Sequence, residues 1–140
     1  MQLAMYKGKG LIGNAVVRWW TDSPYSHCEL VIGDYCYSSS LMDKGVRRKQ
    51  IILKSEHWLL VPLPSNREAG VLAYFDKTKG EKYSWLDLAR SQVFNSGADE
   101  AGASFCSDWC AAALGLPNST TYSPKTLLDT VLWLRSQGYW

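Results

Sequence analysis

A chain of 140 residues with a net charge of +2 is the size of one ordinary domain. With 46% hydrophobic and 20% charged residues it can bury a core, which excludes a disordered tail or a low-complexity linker. The basic surplus is too small to suggest nucleic acid as a partner, and no apolar run nears the roughly 20 residues of a membrane span. The opening residues Met1-Gln2-Leu3-Ala4-Met5-Tyr6-Lys7 lack the basic start and apolar stretch of a secretory signal, so the chain is expected to be cytoplasmic at synthesis.

In chain order, residues 2–7 form a short predicted strand. Glycines at 8, 10 and 13 lead into an apolar run, 11–20, expected as a helix with Val16, Val17, Trp19 and Trp20 inward. Thr21-Asp22-Ser23-Pro24 is turn chemistry. Strands are predicted over 26–33 and 35–40, joined as a hairpin at Gly33-Asp34. After a turn at Lys44-Gly45, two more strands are expected over 46–53 and 58–63, ended by Pro62 and Pro64. The period then changes. Helices are predicted over 66–78, with Asn66 as cap and Gly80 beyond its end, and over 84–93, with Ser84 as cap. A loop separates them from a helix at 105–114, stopped by Gly115 and Pro117. The last helix spans 124–135, with Ser123 as cap and Pro124 in its first turn. Strands first and helices after give an α+β fold, expected as one domain over 1–140.

Four cysteines, Cys28, Cys36, Cys106 and Cys110, permit two disulfides or a zinc site. Without an export signal the first is disfavoured, and the spacings lack the two-residue knuckle of structural zinc. Free thiols are the remaining reading, with no metal or cofactor expected. Ser104 is a good N-cap and would put Cys106 in the first turn of its helix. There the unpaired amides favour a thiolate and offer donors to an oxyanion. The bland alternative is a small buried residue at a helix start. Cys110, one turn on among alanines, and Trp109 read as core.

Histidine is the usual base at neutral pH, and the chain has two. His57 lies in a polar connection and reads as solvated. His27 opens a strand straight after a turn. Alternation puts His27, Glu29 and Val31 on one face, so Glu29 is a natural partner for the imidazole. Ser38 on the neighbouring strand is the other candidate for a polar contact. Cys28 points to the opposite face and reads as core, and Cys36 is left open. Trp19, Trp20, Tyr25 and Tyr37 lie near His27 in sequence and are candidates to shape a groove, with core packing the alternative.

Pro24-Tyr25-Ser26-His27-Cys28-Glu29-Leu30-Val31-Ile32-Gly33 resembles the His strand of the circularly permuted NlpC-type papain-like hydrolases, the YiiX-like group. Gly45-Val46-Arg47 resembles the turn that follows the group's hairpin, and Phe105-Cys106-Ser107-Asp108 its nucleophile motif. Tyr83-Ser84-Trp85, Leu114-Gly115-Leu116-Pro117 and Tyr122-Ser123-Pro124 resemble its helix-flanking segments. The order, His first and Cys last, is the group's permuted order. Two departures stand out. Asp108 replaces the usual Glu, and the second hairpin strand, Tyr35-Cys36-Tyr37-Ser38-Ser39-Ser40, carries no acid. The resemblance implies an antiparallel sheet or small barrel packed on helices. It also implies a cysteine hydrolase with Cys106 as nucleophile, His27 as base and Glu29 or Ser38 as third member. The implied substrate is an amide, most simply a peptide bond of peptidoglycan. With no export signal visible, a phage or prophage context is the expectation. The rival readings are a catalytically silent binding or virion protein on the same fold, and an acyl or lipid hydrolase of the same superfamily. The Asn-Cys-Glu-His motif of the lecithin:retinol acyltransferase branch is absent.

Overall fold

The computed structural model describes residues 1–7, 24–40, 42–81 and 101–140, with side chains from Cys106 onward in the last segment. The helices expected at 11–20 and 84–93, with Trp19 and Trp20, lie outside the described residues. Among the described residues five strands are present: β1 (Gln2–Tyr6), β2 (His27–Ile32), β3 (Tyr35–Ser40), β4 (Gly45–Lys49) and β5 (Trp58–Pro62). Three helices follow among the described residues: α1 (Glu68–Thr78), α2 (Ala101–Ala113) and α3 (Pro124–Ser136). The strands form one antiparallel sheet in the order β4-β3-β2-β1-β5. The α+β class is therefore correct, with an open sheet rather than a barrel among the described residues.

β2 and β3 meet in a two-residue turn whose first residue, Gly33, has φ +56°. Asp34 keeps a negative φ, so only the glycine takes the conformation that a side chain resists. β4 is shorter than expected. Lys49 already pairs with Cys36, the second residue of β3, so the partner strand runs out and the chain leaves the edge. Ile52, predicted within the strand, is 83% exposed.

One sheet face is apolar. Leu3, Met5, Cys28, Leu30, Tyr37, Val46 and Val61 pack against Val71 of α1, Cys106, Trp109 and Cys110 of α2, and Leu127, Leu128 and Val131 of α3. Burying each leucine fully is worth about 2 kcal/mol. Trp109 places its indole N–H on Thr78 Oγ1 at 3.0 Å and packs beside Tyr74 and Phe75, so it belongs to the core as expected. Tyr37 does too: it is buried, edge-on to Phe75, on the face opposite His27. Tyr25 is half-buried against the same core.

Two helix starts depart from expectation. Asn66 does not cap α1; a 3-10 turn over Ser65–Arg67 precedes it, and Arg67 occupies the cap position with no side-chain bond. Nor does Ser104 cap α2, which begins at Ala101 and carries Ser104 inside it. The alanines upstream are strong helix formers and extend the element. The helix ends are as expected. Leu116 N–H reaches Ala111 C=O and Gly115 N–H reaches Ala112 C=O, a Schellman closure with Gly115 at φ +72°. Ser123 caps α3 in a reciprocal box with Thr126, and Pro124 follows it.

Candidate active site

β2 presents His27 and Glu29 on one face, as alternation requires. Their side chains meet: His27 Nε2 lies 2.6 Å from Glu29 Oε1. This pair was legible in the sequence because a strand brings residues two apart onto one side. His27 keeps a quarter of its side chain exposed, while Glu29 is fully buried. Tyr6 of β1 pairs with His27 and also with Trp58 of β5. Trp58 stands edge-on to the imidazole, with ring centroids 6.5 Å apart.

From the apolar face of the sheet, α2 brings Cys106 within hydrogen-bond reach of His27 at the start of β2. The thiol hydrogen bonds to His27 and to both the thiol and the backbone of Cys28. Nε2 of the ring is held by Glu29, so Nδ1 is the nitrogen available to Cys106. The hydrogen bond from the Cys28 thiol holds the Cys106 thiol well below its usual range. Burial opposes this shift, and the imidazolium of His27 adds to it. Burial alone would push His27 down. The Cys106 thiolate and then Glu29 outweigh it and raise His27 to about 10. The lowered thiol and the raised imidazole together favour a thiolate–imidazolium pair over two neutral groups.

This corrects the expected origin of the thiolate. Cys106 is the sixth residue of α2, beyond the first turn whose amides are unpaired. The stabilising groups come from β2 instead. The oxyanion role expected of the amides around Cys106 loses its basis for the same reason.

Ser38, the other candidate third residue, is buried, and its hydroxyl donates to Cys28 C=O at 2.8 Å and to Ser39 C=O at 3.2 Å. The imidazole's carboxylate partner is Glu29. Cys110 is buried and reaches toward Cys28 C=O, 4.0 Å away. Cys28, Cys36, Cys106 and Cys110 are all free thiols and all buried. Burial pushes the Cys28 thiol well up and Cys36 to about 11, so both stay protonated. His57 lies outside the cluster, with its side chain half exposed.

Two participants had no site role in the sequence reading: Cys28, taken as core, and Arg47, quoted only within the Gly45-Val46-Arg47 turn. Arg47 of β4 grips Glu29 with both terminal nitrogens, Nη1 to Oε2 at 2.6 Å and Nη2 to Oε1 at 2.5 Å. Alternation along β4 shows its face, but its reach across β3 depends on strand register. The Arg47 and His27 hydrogen bonds hold the Glu29 carboxyl below its ordinary value although burial opposes this.

Compared with known proteins, the chain matches no family model, no curated protein and no solved structure. Among the described residues no helix is long and apolar enough to cross a membrane.

Proposed function

We propose that the chain is a cysteine hydrolase of permuted papain-like architecture that cleaves an amide bond through an acyl-enzyme. One observation carries this reading. Cys106 and His27 lie far apart in sequence, yet they meet in a hydrogen bond that lowers the thiol and raises the imidazole, with the ring held by Glu29. A merely structural buried cysteine would keep its proton.

In the proposed reaction the Cys106 thiolate attacks the carbonyl carbon and forms a tetrahedral oxyanion. Collapse of that species breaks the C–N bond, and His27 gives its proton to the departing amine. Neutral His27 then takes a proton from water. The hydroxide so formed attacks the thioester, the C–S bond breaks, and the thiolate–imidazolium pair is restored. Glu29 fixes the ring and stabilises its charged form throughout. The His-before-Cys order and a Cys-bearing helix packed on the sheet support the permuted architecture.

Peptidoglycan is the first substrate to test, on the strength of the motif resemblance. Purified peptidoglycan is incubated with wild type and with Cys106→Ala, and the released fragments are identified by mass spectrometry. Wild type is expected to release peptide fragments and the variant none. If neither acts while Cys106 still ionises at low pH, the substrate is a different amide. If Cys106 also titrates as an ordinary thiol, the hydrolase reading is wrong.

A further inference from the structure

We infer that Arg47 is the positioning residue of this site: its two-point grip on Glu29 aims the carboxylate at His27 and balances the charge of the buried chain. The inference rests on the cysteine hydrolase reading and names a part of its machinery that lies two strands from the histidine.

The geometry is specific. β3 lies between β4 and β2 in the sheet. Ser38 pairs with Arg47 on β4, and carrying the β2–β3 register one residue further sets Ser38 opposite Glu29. The side chain between arginine and glutamate is thus a small one, and its hydroxyl is turned to main-chain carbonyls. Arg47 passes it and meets the carboxylate as a fork, using both oxygens. Its third nitrogen donor, Nε, is occupied by Asp43 Oδ2 at 2.8 Å, and Lys49 Nζ holds both Asp43 oxygens at 2.8 and 2.9 Å. The guanidinium is therefore anchored at the sheet edge and aimed inward. Glu29 Oε1 takes both Arg47 Nη2 and His27 Nε2, so the orientation of the fork sets where the imidazole finds its acceptor.

Charge points the same way. Thiolate, imidazolium, carboxylate and guanidinium sum to zero. Cys28 from β2 and Cys110 from α2 lie near the thiol, Cys36 from β3 lies near Glu29 and Arg47, and Asp43, itself paired with Lys49, faces Arg47 from just before β4. The three thiols supply no positive charge, and the Asp43–Lys49 pair adds no net charge. Without Arg47 the buried chain carries one net negative charge, and desolvation drives a proton onto it. Every acid in the chain then holds its proton to higher pH, Cys106 included. A lysine restores the charge but not the fork.

The test is the ultraviolet absorbance of thiolate against pH on the full chain, with Cys106→Ser as the baseline. Wild type is expected to show a thiolate step well below the ordinary thiol range. In Arg47→Ala the step should move up by about one pH unit or more, a tenfold loss of thiolate below it. Arg47→Lys should bring it back toward wild type. If Arg47→Ala does not fold, Arg47→Gln replaces it, with the same shift expected. A folded, uncharged variant whose step stays at the wild-type pH overturns the inference and leaves Arg47 a structural residue. So does a shift that Arg47→Lys fails to reduce. A wild type without the low step overturns the hydrolase reading itself, and the two failures are told apart by which protein shows them.

Discussion

Cys106 is pushed toward the thiolate by its neighbours rather than by its place in a helix, and that has consequences for single substitutions. Cys28 donates to the thiolate from its own thiol and from the backbone. Cys28→Ala keeps the backbone donor and loses the side-chain one. The Cys106 thiolate step should then move up in pH, read by the rate of iodoacetamide alkylation across a pH series. His27→Ala removes the imidazolium and should move the step further, into or above the ordinary thiol range, because burial then acts unopposed. The pair also sets a pH profile for catalysis. Activity should rise on an acid limb as Cys106 deprotonates, well below 9.0, and fall on an alkaline limb as His27 deprotonates near 10. A steady-state rate measured across that range checks both limbs. An acid limb near the ordinary thiol value would contradict the ion pair.

At the scale of elements, β2, β3 and β4 act as one platform for the Glu29–Arg47 contact. The contact needs a small side chain at Ser38. Ser38→Leu should block the path of Arg47 and strand Glu29 as a buried carboxylate with His27 as its one remaining partner among the described residues. Breaking one side of a buried ion pair costs about 3–5 kcal/mol, so stability in denaturant should fall by that order. Removing both charges together, as Glu29→Gln with Arg47→Met, should cost less than either alone. A double-mutant cycle on unfolding free energies reads that difference. α3 offers a contrast remote from this chemistry. Ser123→Ala removes its capping box and should cost about 1 kcal/mol while leaving the Cys106 titration unchanged.

For the whole molecule, the same shifts fix how stability responds to pH. The unfolded chain holds the Cys106 proton up to its ordinary value of 9.0 and loses the His27 proton at 6.5. The folded chain shifts both the other way, His27 up to about 10 and Cys106 down. Between the two ordinary values the shifts act with opposite signs: the raised His27 makes stability fall as pH rises, and the lowered Cys106 makes it rise. Cys106 contributes stability that is present above 9.0 and is lost as pH falls through its depressed folded value. Glu29 and Asp43, both held below their ordinary values, add to that loss, Asp43 down to about 2. Above 9 the folded chain binds the extra proton, and stability falls until His27 deprotonates near 10. Denaturant unfolding across this range should show the alkaline fall between 9 and 10. Cys106→Ser should weaken the alkaline fall, since it removes the main partner that raises His27.

Local order was written in the chain itself. Strand alternation is a two-residue property, so the His27–Glu29 face could be read directly, as could the Gly33-Asp34 hairpin and the Ser123 cap. The change from period-two to helical patterning gave the α+β class for the same reason. Helix starts were read less well, because Ser104 and Asn66 are good caps that neighbouring residues override: the alanines above Ser104 propagate the helix, and Pro64 leads into a tight turn around Asn66. Which distant groups meet was decided only by tertiary structure. The packing of α2 on β2 joins Cys106 to His27 and Cys28, and strand register carries Arg47 across β3 to Glu29. A residue's own neighbours in sequence say nothing of the register or the packing partner. Those follow from closing the whole sheet over one core, and with them come the charges that set the chemistry of the thiol.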